Sequence, residues 1–363
     1  AAVRSGDERR YLAAVDPRAE RYREAQREVF ANLRRLPLTQ WTYRVAGVRR
    51  AEEGGRSRLE AHVRLQYRLR GDDRAPVTAT ERLALTERDG RWYVSSELPH
   101  SDRQLWEQGE ITVVRGENSM VLGVGRSRDV LEGLARDADR SVSAVDRVWQ
   151  RKWPRRVVVE APDSLRRMAQ LLDADEDTYE GIAAVTTGEA GGASKAPADR
   201  IVINPRAYGL LSEEGRQVVV THETVHVASR TRTGSSTPLW LSEGLADWIG
   251  YQGTERTPKE AAAELLGAVK KGEAPRELPS DRDFRFGNDP EALGRAYESG
   301  WLACRLIADE WGDEKLMSFY ERVGESGGTD TKSVLARALR DELGLSLPEF
   351  TQRWRSYVRD ELS

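Results

Sequence analysis

Residues 220–227 read VTHETVHV. Two of the chain's four histidines stand four apart here, with Glu223 directly after the first. Whether this stretch is strand or helix decides the fold around it. Valine and threonine favour strands, so local composition leaves the choice open. In a strand, His222 and His226 would lie about 13 Å apart, too far to share one ion. In a helix they are one turn apart, about 6 Å, on the same face. The flanks favour helix. Ser212 suits an N-cap, and Glu213 and Glu214 follow in the first turn, where the helix dipole favours negative charge. Val218, Val219, Val225 and Ala228 then form a buried stripe, and packing holds a weak helix former in place.

On a helix, His222 and His226 can each offer an imidazole nitrogen to one Zn²⁺ at about 2.0–2.1 Å. Glu223 lies about 100° around the helix, close to the ion but off the ligand axis. That is where a general base accepts a proton from water. This is the H-E-x-x-H pattern. It arises by chance in roughly one chain in a hundred of this length, so it needs a third ligand. After His226 comes VASRTR, without histidine; His62 and His100 fall in another predicted domain, and Cys304 stands alone. A carboxylate is the expected third ligand, and the best candidate lies in LWLSEGLADWIGY, residues 239–251. Glu243 and Asp247 are i, i+4 on this second helix, and Leu241, Leu245 and Trp248 can bury it against the first. Glu243 is expected to ligate. Asp247, one turn on, can accept the other ring N–H of a zinc histidine and fix its tautomer. Two solvated acids on a surface helix are the plain alternative.

The 363 residues suggest two domains, expected at 1–108 and 109–363. Charged residues make up 32%, with 57 Lys and Arg against 60 Asp and Glu intermixed. No long single-sign run points to nucleic acid or an anionic membrane, and no apolar run is long enough to span a bilayer. Cys304, in WLACRLIA, reads as a buried core thiol. The chain opens with AAVRSGDERR, which suggests a removed leader and an extracellular or cell-envelope protein, with a cytoplasmic one as the alternative.

Residues 7–36 read as one amphipathic helix stopped by Pro37. Strands follow at 41–48, 58–70, 80–87 and 91–98, with Asp89-Gly90 as a hairpin turn. In the second strand Leu59, Ala61, Val63, Leu65, Tyr67 and Leu69 share the dry face and His62 lies on the wet one. The second part predicts strand at 111–125, helix at 127–152, strand at 155–161, helix at 164–172, a Gly/Ala/Ser-rich loop at 186–199 and a strand at 200–205. The remainder reads as helical, with loops at 230–239, 272–290 and 323–330. The fold class is α+β: a helix and an antiparallel sheet, then a small mixed sheet carrying the H-E-x-x-H helix, then a mainly helical end.

HETVH followed by WLSEGLAD resembles the gluzincin metallopeptidases, the H-E-x-x-H…E clan. The resemblance spans roughly residues 111–360, its specific part under a hundred residues, and the first hundred residues resemble NTF2-like domains. It implies one zinc per chain held by His222, His226 and Glu243, a peptide or protein substrate, and Glu223 as general base. RIVINP would then be the edge strand along which an extended peptide pairs. RAYESGWLA resembles the YEKG-type helix of the M1 aminopeptidases, which places a transition-state-stabilising tyrosine at Tyr297; the lysine is replaced by Ser299. The G-x-M-E-N stretch with which M1 enzymes hold a free amine has no counterpart before His222, so an endopeptidase is as well supported as an aminopeptidase. The rival reading is a non-catalytic peptide- or partner-binding protein with a peptidase-like fold.

Overall fold

The computed structural model describes residues 2–53, 56–187, 199–287, 289–325 and 330–363. It is a mixed α+β structure with one antiparallel and one mixed sheet. The expected helix over 7–36 is broken into α2 (Glu8–Leu12) and α3 (Glu20–Leu33), and a short α1 (Ala2–Ser5) precedes them. Pro17 lacks the N–H a helix interior needs, and it steers Asp16 away from helical backbone angles. The freed segment finds other partners. Val15 bridges to Val94, and the Asp16 carboxylate accepts two bonds from the Arg88 guanidinium at 2.6 and 2.7 Å.

The period-two stretches pair as expected. β1 (Leu38–Glu53), β2 (Arg56–Leu69), β3 (Val77–Arg88) and β4 (Arg91–Glu97) form an antiparallel sheet in that order. Ala61, Val63, Leu65, Tyr67 and Leu69 of β2 are buried, while Arg64 and Arg68 face water. The β3–β4 turn places both Asp89 and Gly90 at positive φ, 51° and 75°, as a tight hairpin of this twist requires.

The second sheet runs β5-β6-β7-β9-β8, from β5 (Ile111–Arg115), β6 (Ser119–Val124), β7 (Val157–Ala161), β8 (Ala184–Thr186) and β9 (Ile201–Ile203). β6, β7 and β9 are parallel to one another, and the two outer strands are antiparallel to their neighbours. Its two faces bury different things. Val121, Val157, Val159 and Ala161 face α4 (Arg128–Trp149) and the helical core. Met120, Leu122, Val124 and Val158 share a cluster with Phe30, Leu33, Trp41, Leu65 and Trp106 of the first unit. The buried Asn32 stitches the two together, donating to the carbonyls of Trp106 and Gly109 at 2.9 and 2.7 Å and accepting from Ile111 N–H at 3.0 Å. Arg200 and Asp73 add a buried two-bond ion pair at 2.9 and 3.1 Å.

RIVINP is not the edge strand. β9 pairs on both sides, and Ile201, Val202 and Ile203 are all buried. Among the described residues the edge at that end is β8, whose three residues are too few to show an alternation in sequence. Thr186, read as the start of a loop, closes that strand instead. Residues 188–198 of the expected loop, and 326–329 of the one expected at 323–330, lie outside the described residues.

The chain continues through α5 (Leu165–Leu171), α6 (Pro205–Leu210), α7 (Glu213–Ser229), α8 (Leu239–Gly250), α9 (Pro258–Ala261), α10 (Ala263–Lys270), α11 (Pro290–Trp311), α12 (Asp313–Glu325), α13 (Thr331–Ala338) and α14 (Leu347–Leu362). Among the described residues no helix is long and apolar enough to cross a membrane.

Candidate metal centre

VTHETVHV is helical, within α7. Ser212 caps it, its Oγ accepting from Gly215 N–H at 3.1 Å, and Glu213 and Glu214 follow in the first turn. The expected single buried stripe is an enclosure instead. Val218 and Val225 are buried and Val219 only half-buried, but Thr221, Glu223, Thr224, Val227 and Ser229 are buried too. The cause is position, since α7 lies among α4, α8 and β8. Its threonines do not break it, because their hydroxyls turn back onto the preceding turn. Thr221 Oγ1 donates to Gln217 O at 2.8 Å and Thr224 Oγ1 to Val220 O at 2.7 Å.

His222, His226 and Glu243 converge. Their ligand-type atoms lie within 4.8 Å of one another. The two Nε2 atoms are 3.0 Å apart, and Glu243 Oε2 lies 3.2 Å from the first and 3.4 Å from the second. A tetrahedral ion with bonds of about 2.0–2.1 Å separates its ligand atoms by about 3.3 Å. The cluster therefore has the dimensions such an ion needs. Asp247 sits on the outer side of His222, 2.7 Å from Nδ1. It accepts that N–H and leaves Nε2 turned to the cluster.

The electrostatics suit a cation. Burial opposes charge on His222, but the Asp247 and Glu243 carboxylates outweigh it and raise the imidazole's pKa to about 10. Burial likewise opposes charge on Glu243, yet His226 and His222 hold its carboxyl well below the usual carboxylate range. The same negative surroundings that favour a charged imidazole would favour a bound cation.

Helix packing sets the position of Glu243. A Cβ on Gly244 would lie 2.2 Å from the Gly300 carbonyl oxygen, and one on Gly300 would lie 2.6 Å from the Trp240 carbonyl oxygen. α8 and α11 meet backbone to backbone at this glycine pair. Glu243 precedes one glycine and Tyr297 stands one turn before the other. Leu241, Leu245 and Trp248 are buried, as is Cys304. The Tyr297 ring centroid lies 6.2 Å from that of His222 and packs edge-on to Phe284 at 5.2 Å. A cavity of about 650 Å³ opens beside the cluster, bordered by Asp247, Tyr251, Tyr297, Glu298 and Trp301 and reaching Asp177.

Glu223 is buried next to this cluster, and its carboxylate accepts a 2.6 Å bond from Thr186 Oγ1. Sequence reading missed Thr186, because nothing local marks a three-residue strand or tells that α7 will pack on it. Loop 230–238 docks on α12, with Ser236 Oγ donating to Val323 O at 2.7 Å and Thr233 bonded to Tyr320 at 2.6 Å. His62 is half-buried on β2, and His100 is exposed beyond β4; neither belongs to the cluster. No protein-family model and no curated protein matches the chain, so the reading of this centre rests on its own geometry.

Proposed function

We propose that the chain is a zinc-dependent peptidase, with His222, His226 and Glu243 as the metal ligands and Glu223 as general base. One observation carries this reading: three ligand-type atoms spaced for one ion, with the residue next in sequence to His222 a buried glutamate held by Thr186. A purely structural ion would need no base at that place. Zinc bound there would polarise the scissile carbonyl and acidify an attacking water. Glu223 accepts the proton of that water and passes it to the leaving amine. Thr186 fixes the carboxylate by donating to Oε2, so the base keeps one orientation. Asp247 fixes the His222 tautomer. The Tyr297 phenol, on the cavity wall, donates to the oxyanion. β8 offers a sheet edge on which an extended peptide can add as a strand.

On this reading the second sheet with α7 and α8 is a gluzincin-like catalytic unit, and the first sheet with α3 is an NTF2-like unit packed on its back. The reading fits an endopeptidase as well as an aminopeptidase. Zinc content per chain is the test, on wild type and His226→Ala. One zinc in wild type and its loss in the variant are expected, with cleavage of a peptide library by wild type only. Wild type that takes up no zinc when it is supplied would end the proposal.

A further inference from the structure

Thr186 holds the Glu223 carboxylate, yet β8 alone is a weak platform for that task. It has three residues and, among the described residues, pairs on one side only, with β9. Short edge strands open readily unless something grips their ends. The grip is at the next residue. Thr187 N–H donates to Arg200 O at 2.8 Å, its Oγ1 accepts Arg200 N–H at 2.8 Å, and its carbonyl accepts Arg230 Nη2–H at 3.0 Å. Arg230, at the end of α7, is itself held by Asp199, with Nε 2.8 Å from Oδ1.

Arg200 carries the grip to the first unit. Its guanidinium donates to both Asp73 carboxylate oxygens, at 2.9 and 3.1 Å, and Glu160 of β7 lies 3.9 Å from its Nε. Asp73 and Arg200 are both buried. Asp73 stands in the turn between β2 and β3, and that turn fixes it. Its Oδ2 accepts Leu69 N–H at 2.7 Å, and its carbonyl accepts Arg68 Nε–H at 2.9 Å. A buried guanidinium cannot swing away from such a partner without leaving a charge unpaired, so Asp73 sets where Arg200 sits, backbone included. Asn32 and Arg35 also join the units, but they bond to the backbone of Trp106, Gly109 and Ile111, at the β5 edge of the sheet and away from β8.

We propose that the first unit anchors the β8 edge of the second, with Asp73 as a positioning residue that acts on Glu223 through Arg200, Thr187 and Thr186. The inference rests on Glu223 being the base of the proposed peptidase. Asp73 touches neither substrate nor metal ligand. It keeps the end of β8 in place, and so narrows the orientations open to the carboxylate that Thr186 holds.

A double-mutant cycle tests the route. Asp73→Asn keeps the side chain's size and removes its charge. On a peptide substrate kcat is expected to fall about fivefold, with KM within about twofold and zinc content unchanged. In a Thr186→Val background the same substitution should change kcat by less than about twofold, because the route to Glu223 is already cut. Arg200→Lys keeps both charges of the pair and gives up one bond, and it should show the same pattern with a smaller loss. Arg35→Gln loosens the junction at the opposite edge and should leave kcat as in wild type. Equal losses from Asp73→Asn in both backgrounds would overturn the proposal, as would a matching loss in Arg35→Gln or full kcat in both Asp73→Asn and Arg200→Lys. Hydrogen exchange reads the anchor without turnover. Amides of residues 184–187 should exchange at least about fivefold faster in Asp73→Asn than in wild type or Arg35→Gln. Unchanged exchange there would overturn the anchor even in a chain that cleaves peptides. Faster exchange in a chain that takes up no zinc would support the anchor and end the peptidase reading alone.

Discussion

The α7–α8 centre and the cavity between the first sheet and α3 both bury carboxylates in an apolar setting, and they treat them oppositely. At the centre every acid has a partner: Glu243 has two histidines, Asp247 has His222 and Glu223 has Thr186. The result is a carboxyl held below its ordinary range at Glu243. Under the first sheet, Glu81 is bonded to Tyr43 and Glu107 to the Gln104 backbone N–H, but burial and the surrounding acids prevail and push their carboxyls up to about 8 and about 7. Burial works in one direction in both places. The neighbours decide the outcome, because a histidine pair repays the desolvation that a second carboxylate only deepens.

The largest expected effect breaks the chemistry at the first region. Glu223→Gln keeps the shape and the Thr186 contact but removes the base, and turnover on a peptide substrate should fall about 10²–10⁴-fold with zinc retained. Undiminished turnover would show that Glu223 is only part of the packing. Asp247→Asn comes next. It leaves Glu243 in place but weakens the hold on His222 Nδ1, and zinc affinity by competition with a chelator should drop about 10–100-fold. If affinity stays put, Asp247 is a bystander to the cluster.

Thr186→Val separates orientation from ligation. Losing the 2.6 Å bond to Glu223 should lower kcat by about tenfold, the equivalent of roughly 1.4 kcal/mol, with metal content constant. A fall in zinc stoichiometry instead would place Thr186 in support of the ligands. Gly244→Ala tests whether helix contact places Glu243. The added carbon would sit 2.2 Å from the Gly300 carbonyl oxygen, so chemical denaturation should report a loss of about 1–3 kcal/mol, accompanied by weaker zinc binding. Unchanged stability would mean that α8 and α11 can part without cost.

The smallest effect probes the second region by pH. Glu81 has a folded-state pKa raised from 4.5 to about 8, so the folded protein holds a proton that the unfolded chain releases. Its contribution is fully present below pH 4.5 and is lost as pH rises through about 8. Glu81→Gln removes this dependence. Melting curves should coincide near pH 4.5 and separate by about 2–4 °C or more at pH 8, with the variant higher. Parallel curves would mean that the Tyr43 bond is enough to keep Glu81 charged, and the contrast between the regions would weaken.

Much of this was legible. The spacing of His222, Glu223 and His226 implied one helical face, and WLSEGLAD marked the acid pair on a second helix. Alternation identified the inward face of β2 from Ala61 to Leu69, although Leu59, expected on the same face, is only half-buried. These patterns are local, and their period is set by backbone geometry. The sequence alone therefore determined which side chains could gather: a histidine pair, a glutamate between them, and a carboxylate within reach on the next helix. The break at Pro17, where Val15 leaves the helix to bridge to Val94, was also local in origin, although its partner was not.

Tertiary structure alone decided the rest. It made β8 and not β9 the sheet edge, brought Thr186 to Glu223, set α8 against α11 through two glycines, and placed Glu81 and Glu107 within reach of one another under the first sheet. Each of these depends on residues far apart in the chain meeting at a particular distance. Such meetings follow from how whole elements pack, and local periodicity carries no record of them.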